Sequence, residues 1–197
     1  KVAGDWVRIV IEVTTGTVNI YADSNLVYTV SNANTKGFFA IGASSDAVIT
    51  ADNGFSFKNL RYSFFGPALP SVTIDFSDPG DLDKYFTVPE DSNGTWEIID
   101  GQLVQTIERA DLSSLRPDPE ITIYDDGLAK QFITLKGQSL LDYTIIYQYQ
   151  VCEVLEAAEG IYAQFIALAT NVPNGNLYAN DAENGGYGFL FADYQTS

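Results

Sequence analysis

The chain has no histidine, no methionine and one cysteine, Cys152, and only 10 basic residues stand against 26 acidic ones in its 197. Each shortage excludes something. Without histidine there is no Ser-His-Asp or Cys-His relay and no His-ligated metal site. A lone cysteine cannot close an intrachain disulfide, so a secreted form must hold together by packing or bound ions. The neighbours of Cys152 in YQYQVCEV read as a strand in which the thiol serves as a small apolar side chain, with no basic residue nearby to activate it. A formal charge of −16 would repel phosphate backbones and the anionic cytoplasmic leaflet, which argues against nucleic acid and membrane surfaces as partners. No apolar run reaches the roughly 18 residues of a membrane span. The start KVAGDW has no signal-peptide pattern and no initiator Met, which reads as a mature product or an excised piece. Phosphate-binding loops of the GxxxxGK[ST] or GxGxxG type are also missing.

What is present is a hydrophobic fraction of 46%, enough for a real core, and period-2 alternation nearly throughout. In WVRIVIEV (6–13), Val7, Ile9, Ile11 and Val13 make one wholly apolar face. A Thr-Gly turn at 15–16, TVNIYA (17–22), a turn at 23–25 and LVYTV (26–30) then form a meander. GFFAIGAS (37–44), AVITA (47–51) and FSFKNLRYS (55–63) continue it, and FFGPALPSV (64–72) breaks the rhythm as a linker. Beyond it lie TIDF (73–76), a polar loop in SDPGDLDKYF, and GTWEIIDGQLVQT (94–106), where Asp-Gly between alternating runs is a strong hairpin signal. Strands are expected again at 120–125, 131–137, 141–151, 160–169 and 186–194, with a loop or helical turn in VCEVLEAAEG. More than ten short strands mean an all-β, antiparallel two-sheet β-sandwich or a barrel.

TIDFSDPGDLDKYF, GTWEIIDGQLVQT, LDYTIIYQYQV, GIYAQFIALA and GYGFLFADY together resemble the first half of a concanavalin A-like, or laminin-G-like, jelly roll. DWVRIVIEVTTGTVNIYADSNLVYTV, KGFFAIGASS and NGFSFKNLRYS resemble its second half. The halves therefore stand in permuted order, with residues 1–63 like an ending and 73–197 like a beginning, joined by 64–72. They could complete one sandwich within a chain, exchange between neighbouring chains, or belong to a window on a tandem array. Neither stands alone: leaving on the order of 1,000 Å² of apolar face in water forfeits roughly 25 kcal/mol, against a typical domain stability of about 5–15 kcal/mol.

Glycosidases of this fold resemble one another in an E-x-D-x-E strand, which is absent, and Glu153, Glu156 and Glu159 are misplaced for a strand face, so an enzyme is not expected. Calcium is the plausible metal, since the resemblance implies a loop-edge ion and carboxylates crowd the loops. The candidate ligands are Asp78, Asp81 and Asp83, Asp125 and Asp126, and Asn180, Asp181, Glu183 and Asn184. Asp and Asn also populate turns for backbone reasons alone. Tyr143, Tyr147 and Tyr149 share one strand face and Tyr187 lies on another strand, where their rings could stack on sugars, although aromatics in strands more often fill a core or pair across strands. Trp6 and Trp96 read as core anchors, and Asn93-Gly94-Thr95 is an N-glycosylation acceptor. The expectation is a non-enzymatic extracellular structural or adhesive lectin-like protein, self-associating or set among neighbouring repeats. The rival is a carbohydrate-binding module of a secreted enzyme or adhesin.

Overall fold

The computed structural model describes residues 5–31, 38–44, 55–64, 71–88, 94–107, 132–136, 142–151, 161–170 and 187–194. The alternation in the first apolar run builds β1 (Val7–Thr14), whose Ile9, Ile11 and Val13 are wholly buried. β2 (Thr17–Ala22) and β3 (Asn25–Ser31) follow as the expected meander. The connection between them is a two-residue turn in which Asp23 and Ser24 both take positive φ, 46° and 70°. Such a turn matches the right-handed twist of the flanking strands. Asp23 extends the ladder beyond it, donating its N–H to the Arg8 carbonyl at 2.8 Å and accepting the Arg8 N–H on Oδ1 at 3.0 Å.

β4 (Phe38–Ser44), β5 (Phe55–Phe64) and β6 (Val72–Ile74) come next. The segment expected as a polar loop instead holds one helical turn, α1 (Asp81–Tyr85), and a short strand, β7 (Phe86–Thr87). The Asp78 side chain accepts the Gly80 N–H at 2.8 Å, its carbonyl accepts the Asp81 N–H at 2.9 Å, and Gly80 accepts the Lys84 N–H at 3.0 Å. Those bonds wind the turn, and the burial of Phe86, stacked 6.3 Å from Phe76, anchors it. β8 (Gly94–Ile99) and β9 (Gln102–Ile107) form the expected Asp-Gly hairpin, with Asp100 and Gly101 at φ 49° and 74°. A Cβ on Gly101 would meet nothing within 4 Å, so the cost of a side chain there is purely the backbone's. Gly101→Ala should therefore lower stability by about 1 kcal/mol, the usual left-handed penalty, read as a shift in a denaturant midpoint at unchanged slope.

The remaining strands are β10 (Phe132–Leu135), β11 (Tyr143–Val151), β12 (Ile161–Thr170) and β13 (Tyr187–Tyr194). The strands expected at 47–51 and 120–125 and the loop or turn at 152–160 lie outside the described residues.

The strands form two antiparallel sheets. The larger runs β3-β2-β1-β11-β5-β9-β8, with β6 also on β5, and the smaller runs β13-β12-β4-β10-β7. Sequence-distant strands interleave in both. β11 sits between β1 and β5, pairing Ile9 with Tyr147 and Ile11 with Ile145 on one side and Tyr149 with Phe57 on the other. β4 likewise sits between β10 and β12. Strands before residue 65 and strands after residue 71 thus pair with each other in both sheets.

The two sheets enclose one core. Ile9, Ile11, Val18, Ile20, Phe55, Phe57, Trp96, Leu103, Tyr143, Ile145 and Tyr147 from the larger sheet pack in one cluster with Phe39, Ile41, Phe86, Ile133 and Leu135 from the smaller. Trp96 stacks on Phe57 at 5.8 Å and is the core anchor expected of it. In β5 the inward residues are Phe57 and then Leu60, three apart, because a bulge inserts one residue opposite β11 between Ile146 and Gln148. Asn59 absorbs it with φ 54°. Without that extra residue a strict alternation would turn Leu60 and Tyr62 toward solvent.

Candidate functional site

On β1, β11 and β5 the residues that do not enter the core form the opposite, outer face of the larger sheet, where Arg8, Asn59 and Arg61 are exposed while Val10 and Ser56 are buried. The register sets them in rows. Arg8, Gln148 and Lys58 lie side by side across β1, β11 and β5, and Val10, Ile146 and Arg61 form the next row. Asn59, pushed outward by the bulge, donates its side-chain N–H to Gln148 Oε1 at 2.7 Å. Trp6 precedes β1 on the same face, with Lys58 Nζ 3.7 Å from its ring centroid. Trp6 is only partly buried and belongs to this outer face, which corrects its expected place in the core. It follows Arg8 in parity, opposite to Val7 and Ile9. A cation over an exposed indole is worth about 0.5–1 kcal/mol, enough to hold the two side chains together.

Toward the β3 edge the outer face continues with polar pairs. Thr29 donates its hydroxyl to Asn19 Oδ1 at 2.9 Å, and Thr15 donates to both Asp142 carboxylate oxygens at 3.1 and 2.9 Å, tying the β1–β2 turn to the start of β11. The Tyr21 hydroxyl is hydrogen-bonded to Glu12, which with the nearby negative charge raises its pKa above the usual phenol value. Glu12 is thereby engaged with Tyr21. Among the described residues Arg8, Lys58 and Arg61 make no ion pair. Three cations and a row of amides thus occupy neighbouring strands of one face.

The residues expected to stack on sugars are elsewhere. Tyr143 and Tyr147 are completely buried between the sheets, and Tyr149 packs against that core while half-buried. These are core rings, because the face of β11 they share is the one turned to the smaller sheet, and the stacking expectation is withdrawn for Tyr143 and Tyr147. Burial pushes the Tyr143 phenol well above its ordinary pKa, and its hydroxyl has no hydrogen-bond partner among the described residues. Tyr187 opens β13 opposite Leu168 of β12.

Of the calcium candidates, Asp125, Asp126, Asp181 and Glu183 lie outside the described residues, as does the glycosylation acceptor Asn93. Asp81 and Asp83 lie in α1 and Asp78 just before it; Asp78 accepts the Gly80 N–H, Asp81 is buried and the Asp83 carbonyl accepts a bond from Lys136 Nζ. Asp75 accepts from the Ser77 hydroxyl at 2.8 Å and its N–H at 3.1 Å, and these bonds hold its pKa below the ordinary carboxylate value. Among the described residues no three His, Cys, Asp or Glu side chains come together as a metal site. None of the described helices is long and apolar enough to cross a membrane.

The outer-face cluster itself was within reach of the alternation. Arg8 shares a parity with Trp6, and the adjacent polar pair Lys58-Asn59 between Phe57 and Leu60 marks the bulge that brings Asn59 to Gln148. No protein-family model matches the sequence, and no curated protein is similar to it.

Proposed function

We propose that the protein is a non-enzymatic, extracellular, lectin-like structural or adhesive protein, with the outer face of the larger sheet as its glycan-binding surface. The observation that carries this reading is the row Arg8, Gln148 and Lys58 with Asn59 and Trp6 beside it. Sugar hydroxyls donate and accept at once, as do side-chain amides, and Arg and Lys add donors to any carboxylate or sulfate on the glycan. An indole ring face supplies the apolar contact that pyranose C–H groups need. A flat sheet face suits a chain-like ligand lying across several strands, and the concanavalin A-like pattern in the sequence supports a sugar-binding role. An acidic, disulfide-free chain suits a saline exterior, where screening shortens the reach of its self-repulsion.

Glycan-array and affinity-electrophoresis measurements test it. The wild type should retain at least one polysaccharide class, and Arg8→Ala with Lys58→Ala should weaken that retention at least tenfold while leaving the melting curve nearly unchanged. Retention that survives both substitutions would place binding elsewhere, and a wild type inert toward neutral and acidic glycans alike would remove the adhesive reading. The alternative, a carbohydrate-binding module of a secreted enzyme or adhesin, uses the same face and differs in remaining monomeric.

A further inference from the structure

We propose that β3 is a self-association edge, at which the β3 strands of two copies of this chain pair antiparallel about a two-fold axis and join their larger sheets into one. β3 ends the larger sheet, pairing with β2 on one side, and among the described residues no strand pairs with its other side. An edge of this kind carries a row of backbone donors and acceptors ready for another strand. Leu26, Val27 and Tyr28 are 56%, 49% and 54% exposed, and they are the exposed large hydrophobic residues of the described structure.

Proteins ordinarily guard such an edge with lysine, proline, an inward-pointing charge or a bulge. Of these Asn25–Ser31 has only the bulge, at Val27, which falls between the pairs Ile20 with Tyr28 and Tyr21 with Leu26. All seven residues are uncharged in a chain whose net charge is −16. That neutrality selects the occupant. Two copies repel each other over most of their surfaces, so a contact between them is favoured where neither carries charge, and β3 is such a place.

The opposite edge of the sheet does not match it. β8 carries the exposed Glu97, its Trp96 is buried and its Ile98 and Ile99 are partly covered, so it offers β3 no exposed apolar partner. A second β3 does, and a two-fold pairing brings the two apolar stretches side by side in the joined sheet. Such an isologous contact closes at two copies, whereas β3 on β8 would be heterologous and grow without limit. One strand on each side buries less than the roughly 1,200–2,000 Å² of a stable standard interface, so the dimer forms reversibly as concentration rises. This contact stands independently of the glycan-binding face.

Sedimentation velocity over a wide concentration range, at low and high salt, tests the proposal. The wild type should move from the 21.5 kDa monomer toward twice that mass, and it should do so at lower concentration in 1 M salt, where the Debye length falls from about 10 Å to about 3 Å. A contact held by ion pairs would weaken instead. Leu26→Lys combined with Tyr28→Lys, on exposed positions, should keep the protein monomeric throughout. Hydrogen exchange on the unaltered chain provides a readout free of mutation, since β3 amides should gain protection as concentration rises. A wild type that stays monomeric, a double variant that dimerises like the wild type, β3 amides indifferent to concentration, or a mass that climbs past the dimer would each overturn the two-fold pairing.

Discussion

Replacing Tyr147 by alanine should lower the stability of the protein by about 3–5 kcal/mol, the range for truncating a large buried aromatic. The ring is completely buried, lies 6.3 Å from Phe57, and sits on β11 directly opposite Ile9 of β1. It fills the place where an early strand and a late strand meet beneath the smaller sheet. The loss combines the transfer free energy of the ring with a cavity that rigid sheet neighbours cannot close. Chemical denaturation gives the measure, with the midpoint falling at an unchanged slope. A change under about 1 kcal/mol, or a loss of glycan retention with full stability, would mean that Tyr147 is a surface ring and that the burial described for β11 is wrong.

Cutting the chain in two is expected to have a still larger effect. Residues 1–64 made alone should be unfolded, and so should 72–197. The first piece loses β11 from between β1 and β5 and loses β10 and β12 from beside β4; the second loses the strands that flank β11. Unpaired backbone and uncovered apolar faces then act together, each enough to offset a typical domain stability of about 5–15 kcal/mol. Mixed in equal amounts, the two pieces should regain strand signal in circular dichroism and a cooperative melt. A cooperative melt from 1–64 alone would show that the early strands have their own core and would refute the shared one.

The strands themselves were legible because their cause is local. Period-2 alternation in β1 and in β11, and the left-handed Asp100-Gly101 turn between β8 and β9, need only neighbouring residues to be read. The helical turn at Asp81–Tyr85 was not legible, because the turn that Asp78 forms before it and its anchor on Phe76 combine local bonds with a tertiary contact. Trp6 was misjudged for a related reason. Tryptophan favours cores, but its parity with Arg8 puts it outside, and only the packing of Lys58 across two strands shows what it does there.

For the candidate site the difficulty was deeper. Tyr143, Tyr147 and Tyr149 share a face by alternation alone, yet alternation is symmetric and does not say which face meets the second sheet. That decision belongs to the partners of β11, which lie 79 or more residues away in sequence along β1 and β5. The same is true of the β3 edge. NLVYTV looks like any strand until the sheet order leaves it outermost.

The amino-acid order by itself determined that this chain is strand-rich, antiparallel, disulfide-free and acidic, since those properties follow from residue type and spacing. The tertiary structure alone decided which strands are neighbours, which side of β11 is interior and which strand is left at the edge. Those outcomes depend on contacts between distant segments, whose free energy comes from apolar faces that can be covered only once the sheets have met.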